Sequence, residues 1–265
     1  MRKIFDAHCH IYPEKIARAA CDGIGQFYNM KFEKVGTVER LMRKSEESNI
    51  TGFLVHSVST TPLQVPSINR FLASEVKAHP DKLIGFGTLH PASEDIQGDF
   101  ENLLELGLKG VKLHPDFQEF SLDSDEAYNI CKVFAGKVPL LCHTGDYRFN
   151  RSNPDQLLVL MDRLPDLVVI AAHFGGWSVW DDAVAKLAGH KNLYVDTSST
   201  TNVKDASYVR DLIHAYGVEQ VLYGTDFPMW DIEEDLERFF KLGLTREEED
   251  AILYGNAKKL LNLPF

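Results

Sequence analysis

The chain has 265 residues, a mass of 30.0 kDa and a formal net charge of −11. Its Lys and Arg are scattered, so it offers no basic patch to nucleic acid or to an anionic membrane. A composition of 44% hydrophobic and 25% charged residues argues against disorder, and no apolar run approaches the ~18 residues of a membrane span.

The chain alternates between short apolar runs and amphipathic stretches. Runs rich in Val, Ile, Leu or Phe lie at 3–8, 52–58, 82–90, 109–114, 139–145, 167–176, 192–198 and 220–228, and each predicts a buried strand. Residues 14–48 exceed what one connecting helix needs and predict an extra helix or loop after the first strand. At 93–107, Ser93 is the expected N-cap, Ile96, Phe100, Leu103 and Leu104 the apolar face, and Gly107 the stop. Asn153 and Pro154 suit the cap and first position of another helix, and Thr245 with Glu248 has capping-box spacing. Strand then helix, eight times over, predicts a single α/β domain over 1–265, a (β/α)8 barrel. An open doubly wound sheet would carry a Gly-rich loop after its first strand, where this chain has HCHIYP.

Barrel chemistry sits at the C-terminal ends of the strands. The runs end with or carry His8 and His10, then His56, His90, Lys112 with His114, His143, His173 and Asp226. One such histidine is usually a satisfied core residue. Several gathered together are costly to bury unless a cation pairs them. Strand alternation puts Asp6, His8 and His10 on one face and Ala7, Cys9 and Ile11 on the other. Cys9 is thus expected outside the barrel lumen, as a small apolar residue. The four cysteines form no C-x-x-C pair and no apolar leader is visible, so reduced thiols and a cytoplasmic location are expected.

The ordered set H-x-H at the first strand, His at the fifth and sixth, and Asp in GTDFP at the eighth resembles the amidohydrolase superfamily. The likeness is to its amidohydrolase-related branch, which includes aminocarboxymuconate-semialdehyde decarboxylase. It implies His8, His10, His143 and Asp226 as metal ligands, and His173 as an acid/base or second-metal residue. It implies one divalent metal, with zinc the default. VKLHP resembles the strand of relatives with a carboxylated lysine, so Lys112 would bridge two metals if carboxylated. Otherwise it stays an ammonium facing a substrate carboxylate or a luminal acid.

The resemblance further implies a metal-activated water attacking a small ester, lactone or amide, with Asp226 and His173 catalytic. Non-oxidative decarboxylation of a small unsaturated or aromatic acid is the close alternative. A non-catalytic metal- or ligand-binding barrel is the alternative from another class. His114, His90, Arg148 and Trp177 are candidate substrate contacts, and Gly175 and Gly176 are candidates for close backbone approach to a ligand. The expected partner is a small molecule, with no nucleic acid and no membrane; a homodimer is expected from family habit.

Overall fold

The computed structural model describes residues 2–265. Among these residues, nine strands run in chain order: β1 (Phe5–His10), β2 (Gly52–His56), β3 (Leu83–Gly85), β4 (Gly87–Thr88), β5 (Val111–Leu113), β6 (Leu140–Cys142), β7 (Val169–Ala171), β8 (Leu193–Asp196) and β9 (Val221–Leu222). All neighbouring strands pair in parallel, in the orders β1-β2-β3 and β4 to β9. The third apolar run supplies both β3 and β4, which are separated only at Phe86. Phe86 N donates to Val55 O and Lys109 N to Gly85 O, so that run joins the two sheets. The ring is completed where Ala7 N donates to Tyr223 O, Asp226 N to His8 O and His10 N to Phe227 O. These parallel strands with intervening helices form the predicted (β/α)8 barrel.

Two apolar layers follow from the alternation of side chains along each strand. Leu54, Phe86, Leu141, Ile170 and Leu222 fill the barrel interior. Val55, Val111, Leu140, Val169 and Val195 pack outward against the helices. Strand β1 departs from strict alternation. Its register with β2 shifts between Asp6 and Cys9. Ala7 therefore joins Phe5 inside, Asp6 turns to Thr225, and Cys9 joins Ile11 outside. The expected face is thus corrected for Asp6 and Ala7, because a bulge moves residues across the sheet.

The segment after β1 holds two helices, α1 (Glu14–Tyr28) and α2 (Val38–Glu47). Helix α1 ends at Asn29, whose left-handed φ of 52° stops it. The helix at Ile96–Glu105 starts later than expected: Asp95, not Ser93, accepts from Gly98 N at 2.8 Å. Ser93 instead donates to Asp99, and Leu104 is exposed. Pro154 opens its helix as expected, but Asn153 makes no side-chain cap and donates to Phe149 O. The Thr245–Glu248 capping box forms both of its hydrogen bonds. All four cysteines are buried free thiols, and among the described residues no helix is long and apolar enough to cross a membrane.

Candidate metal centre and cavity

The site is built at the C-terminal ends of the strands. His8 and His10 from β1 meet Asp226, which follows β9. Asp226 Oδ1 lies 3.4 Å from His8 Nε2 and 3.2 Å from His10 Nε2. The ring of His173, after β7, is 5.2 Å from that of His8. Its Nε2 lies 3.1 Å from Nδ1 of His143, after β6. The residues expected as ligands and acid/base are thus contiguous in space. The tightest groupings of ligand atoms, within 4.8 Å, are His8, His10 and His56, and His114, Asp116 and His143. The set expected from sequence straddles those two groups, linked through His173.

The backbone is held tense around this cluster. His173, Phe174, Ser199 and Asp226 all adopt left-handed φ values between 53° and 65° without being glycine. Strain of this kind collects at functional sites, where surrounding bonds hold it in place.

A second layer of hydrogen bonds sets the imidazoles. His8 Nδ1–H donates to Asp196 Oδ2 at 2.8 Å, which leaves the Nε2 lone pair directed at the cluster. Ser198 Oγ donates to Asp196 Oδ1 and accepts from His173 Nδ1 at 2.8 Å. Ser199 Oγ donates to Asp226 Oδ2 at 2.6 Å and accepts from Trp230 Nε1 at 2.8 Å. Burial pushes the His8 imidazole down to about 4, with Lys112 adding to the shift, and burial lowers His10, His56, His114 and His143 as well. Burial alone would raise the Asp226 carboxyl. The His10 hydrogen bond and the His8 and His173 rings outweigh it and hold Asp226 well below the usual carboxylate range. Neutral imidazoles beside an ionised carboxylate are the donor set that a divalent cation takes. His8 Nε2, buried without a hydrogen-bond partner among the described residues, would gain one. The chain's residues therefore fit such an ion.

A cavity of about 500 Å³, counting its mouth, opens onto this cluster. Lys112 and His114 reach it from the barrel, and Tyr28, Phe117, Trp177 and Trp230 wall it. Lys112 is 1% exposed and forms no side-chain hydrogen bond or ion pair among the described residues. His114 stacks on His143 at 3.9 Å between ring centroids. Trp180 packs away from the mouth and donates to Thr200 Oγ1.

Three sequence expectations need correction. Arg148 does not face the cavity: its guanidinium chelates Asp146 and donates to Phe27 O, stacked over Phe27 and Tyr28. His90 is absent from the cavity wall, and its Nδ1 accepts from Ala92 N. Gly175 and Gly176 serve packing, since a Cβ would lie 2.8 Å from Leu187 Cδ1 and 2.6 Å from Ala183 Cβ respectively. Tyr28, Asp196, Ser198 and Ser199 escaped the sequence reading. Asp196 had a signal: it ends β8, the seventh of the eight apolar runs, two residues after Tyr194 and on the inward face.

The amidohydrolase family model matches residues 5–263. Among curated proteins, Decarboxylase orsB of Emericella nidulans is 26% identical over 125 residues, 39% of this chain and 37% of its own length. The match thus spans little more than a third of that relative. Among solved structures, a TIM-barrel protein of Bordetella bronchiseptica superposes with a TM-score of 0.82 at 21% identity, covering 98% of this chain and 99% of its own. A dihydroxybenzoic acid decarboxylase of Polaromonas, solved with manganese and 2-nitroresorcinol, gives 0.74 at 17%, covering 100% and 98%. A structure assigned to 2-pyrone-4,6-dicarboxylic acid hydrolase of Pseudomonas putida gives 0.72 at 17%, covering 100% and 99%. At these identities the structural likenesses speak for the fold. The match of the family model over nearly the whole barrel, with its histidine and aspartate cluster at the strand ends, places this chain in the amidohydrolase family.

Proposed function

We propose that the protein is a metal-dependent decarboxylase of a small planar carboxylic acid bearing ring oxygens. The observation that carries the substrate class is the lining of the cavity: aromatic side chains and one buried amine, Lys112, beside the histidine–aspartate cluster. Aromatic walls suit a flat ring, and a buried amine with no side-chain hydrogen bond or ion pair among the described residues suits its carboxylate. The names of the fungal relative and of the manganese-bearing neighbour lend support.

His8, His10, His143 and Asp226 would hold the ion, and zinc or manganese suits these N and O donors. When bound, it supplies Lewis-acid polarisation of a substrate oxygen. The chain's own residues do the rest. Asp196 holds His8 in one tautomer through Nδ1. Ser199 and His10 position the Asp226 carboxylate. Lys112 would bind the carboxylate, while Tyr28, Phe117 and Trp177 exclude water from the ring. His173, fixed by Ser198, would move a proton at Nε2.

Hydrolysis of an ester or lactone, the outcome first expected from sequence, is the second reading. The pyrone hydrolase neighbour and the same donor set favour it. One assay separates the two. Metal-loaded protein is incubated with dihydroxybenzoates and with 2-pyrone-4,6-dicarboxylate, following CO2 release and ring opening. CO2 release from the benzoates is expected. Ring opening alone would replace the decarboxylase reading with the hydrolase one. Neither product, from protein with a verified metal content, would favour the non-catalytic binding barrel.

A further inference from the structure

Helix α1 lies outside the barrel proper, yet its last residue enters the site. The Tyr28 hydroxyl lies 3.1 Å from His114 Nε2 and 3.2 Å from His143 Nε2, and it lines the cavity. Its position is enforced from behind. Arg148 donates to the neighbouring carbonyl of Phe27 at 2.5 Å, chelates the buried Asp146, and stacks over the Tyr28 ring at 5.2 Å.

The hydrogen-bond roles around this phenol depend on the ion: without one, His143 Nδ1–H donates to His173 Nε2 and leaves its own Nε2 to accept from Tyr28. His143 turns Nδ1 towards His173 and the ligand cluster. If that atom is given to the ion, the ring proton must sit on Nε2, which then donates to Tyr28. His114 Nδ1 accepts from Phe117 N at 3.4 Å, so its proton also sits on Nε2 and donates to Tyr28. With both N–H groups donating to it, the phenolic oxygen has its lone pairs filled. Its own O–H is then free to donate to a ligand in the cavity it lines.

We infer that Tyr28 is a specificity-determining residue: its hydroxyl donates a hydrogen bond to a ring oxygen of the bound carboxylic acid, selecting oxygenated rings over bare ones. This rests on the cavity taking a small planar oxygenated carboxylate. It differs from that reading in naming a residue from the inserted helix as the one that counts the substrate's oxygens.

The test is calorimetric binding to metal-saturated protein, independent of turnover. Wild type and Tyr28→Phe are titrated with 2,6-dihydroxybenzoate and with benzoate, and the metal content of both proteins is measured in parallel. Losing one buried donor should weaken 2,6-dihydroxybenzoate about 5- to 100-fold while benzoate changes little, so the preference between the two ligands collapses. Equal weakening of both ligands, or of neither, overturns the assignment of Tyr28 while leaving the cavity reading intact. If neither ligand binds wild type, the cavity reading falls, and this inference falls with it.

Discussion

His8 and Asp196, 188 residues apart in sequence, meet in a buried hydrogen bond of 2.8 Å between Nδ1 and Oδ2. The pair joins the first strand to the strand before the last. It decides which nitrogen of His8 is free. Asp196 is kept ionised, with its carboxyl down at about 2. Burial opposes that shift, but the His8 ring and the Ser198 hydroxyl more than offset it.

Asp196→Asn should therefore lower metal affinity by about 10- to 100-fold, the usual cost of losing a partner behind a ligating histidine. An amide can turn its NH2 towards His8 Nδ1 and favour the wrong tautomer without changing shape. Competition with a chromogenic chelator measures this. Unchanged affinity would mean that Asp196 only packs.

Cys9 lies between the two histidines in sequence but faces away from them, buried among Ile11, Val55 and Phe227. Burial raises its thiol well above the usual range, with the Asp6 carboxyl adding to the shift, and its outward orientation keeps it from the cluster. Cys9→Ser should keep full metal content by elemental analysis, and because a hydroxyl can take over the thiol's hydrogen bond to Asp6, stability in urea titration should change by no more than about 1 kcal/mol. Loss of metal at full folding would return Cys9 to the site.

The barrel and most of the cluster were legible in the sequence because both depend on period and order. Eight apolar runs set the strands, and His8, His10, His143, His173 and Asp226 fell at their ends. Three things were hidden. The bulge at Asp6–Cys9 depends on the partner strand, and no local pattern marks it. Arg148 reads as a free cation until Asp146 and Phe27 O are seen to take its donors. Tyr28 reads as an ordinary helix residue, and only the path of α1 across the barrel mouth brings it to His143.

Lys112 tests both the substrate and the metal count. Lys112→Met keeps the length and apolar bulk of the side chain but removes the charge. It should weaken binding of 2,6-dihydroxybenzoate by about 10-fold or more, the scale of one buried charge-assisted contact, while leaving one metal per chain. A wild-type protein with two metals that falls to fewer in the variant would instead mark Lys112 as a carboxylated bridge.

Gly145 shows where backbone approach, not ligand approach, demands glycine. Its φ is +75°, and a Cβ there would stand 2.6 Å from Gly176 Cα, so the loops after β6 and β7 touch main chain to main chain. Gly145→Ala should cost about 1–3 kcal/mol and disturb His143, two residues before it. Its thermal midpoint should fall by several degrees, and an unchanged midpoint would refute the close crossing.

Asp235 carries a pH signature and does not line the cavity. It is fully buried and accepts from Thr201 Oγ1 and Asn202 Nδ2, both at 2.5 Å. Burial pushes its carboxyl from 3.8 up to about 7, so between those values the folded chain keeps a proton that the unfolded chain has lost. For this group stability is fully present below 3.8, falls as pH rises through that window, and is lowest above about 7. Asparagine keeps the acceptor for Thr201 and Asn202 and cannot ionise. Asp235→Asn should thus gain on wild type as the pH is raised from 5 to 8, by an amount on the order of a few kcal/mol, since each tenfold change in proton affinity is worth about 1.4 kcal/mol. Calorimetric midpoints of the two proteins at both pH values measure the gap. A gap that stays constant with pH would mean that Asp235 is ionised in the folded protein at both.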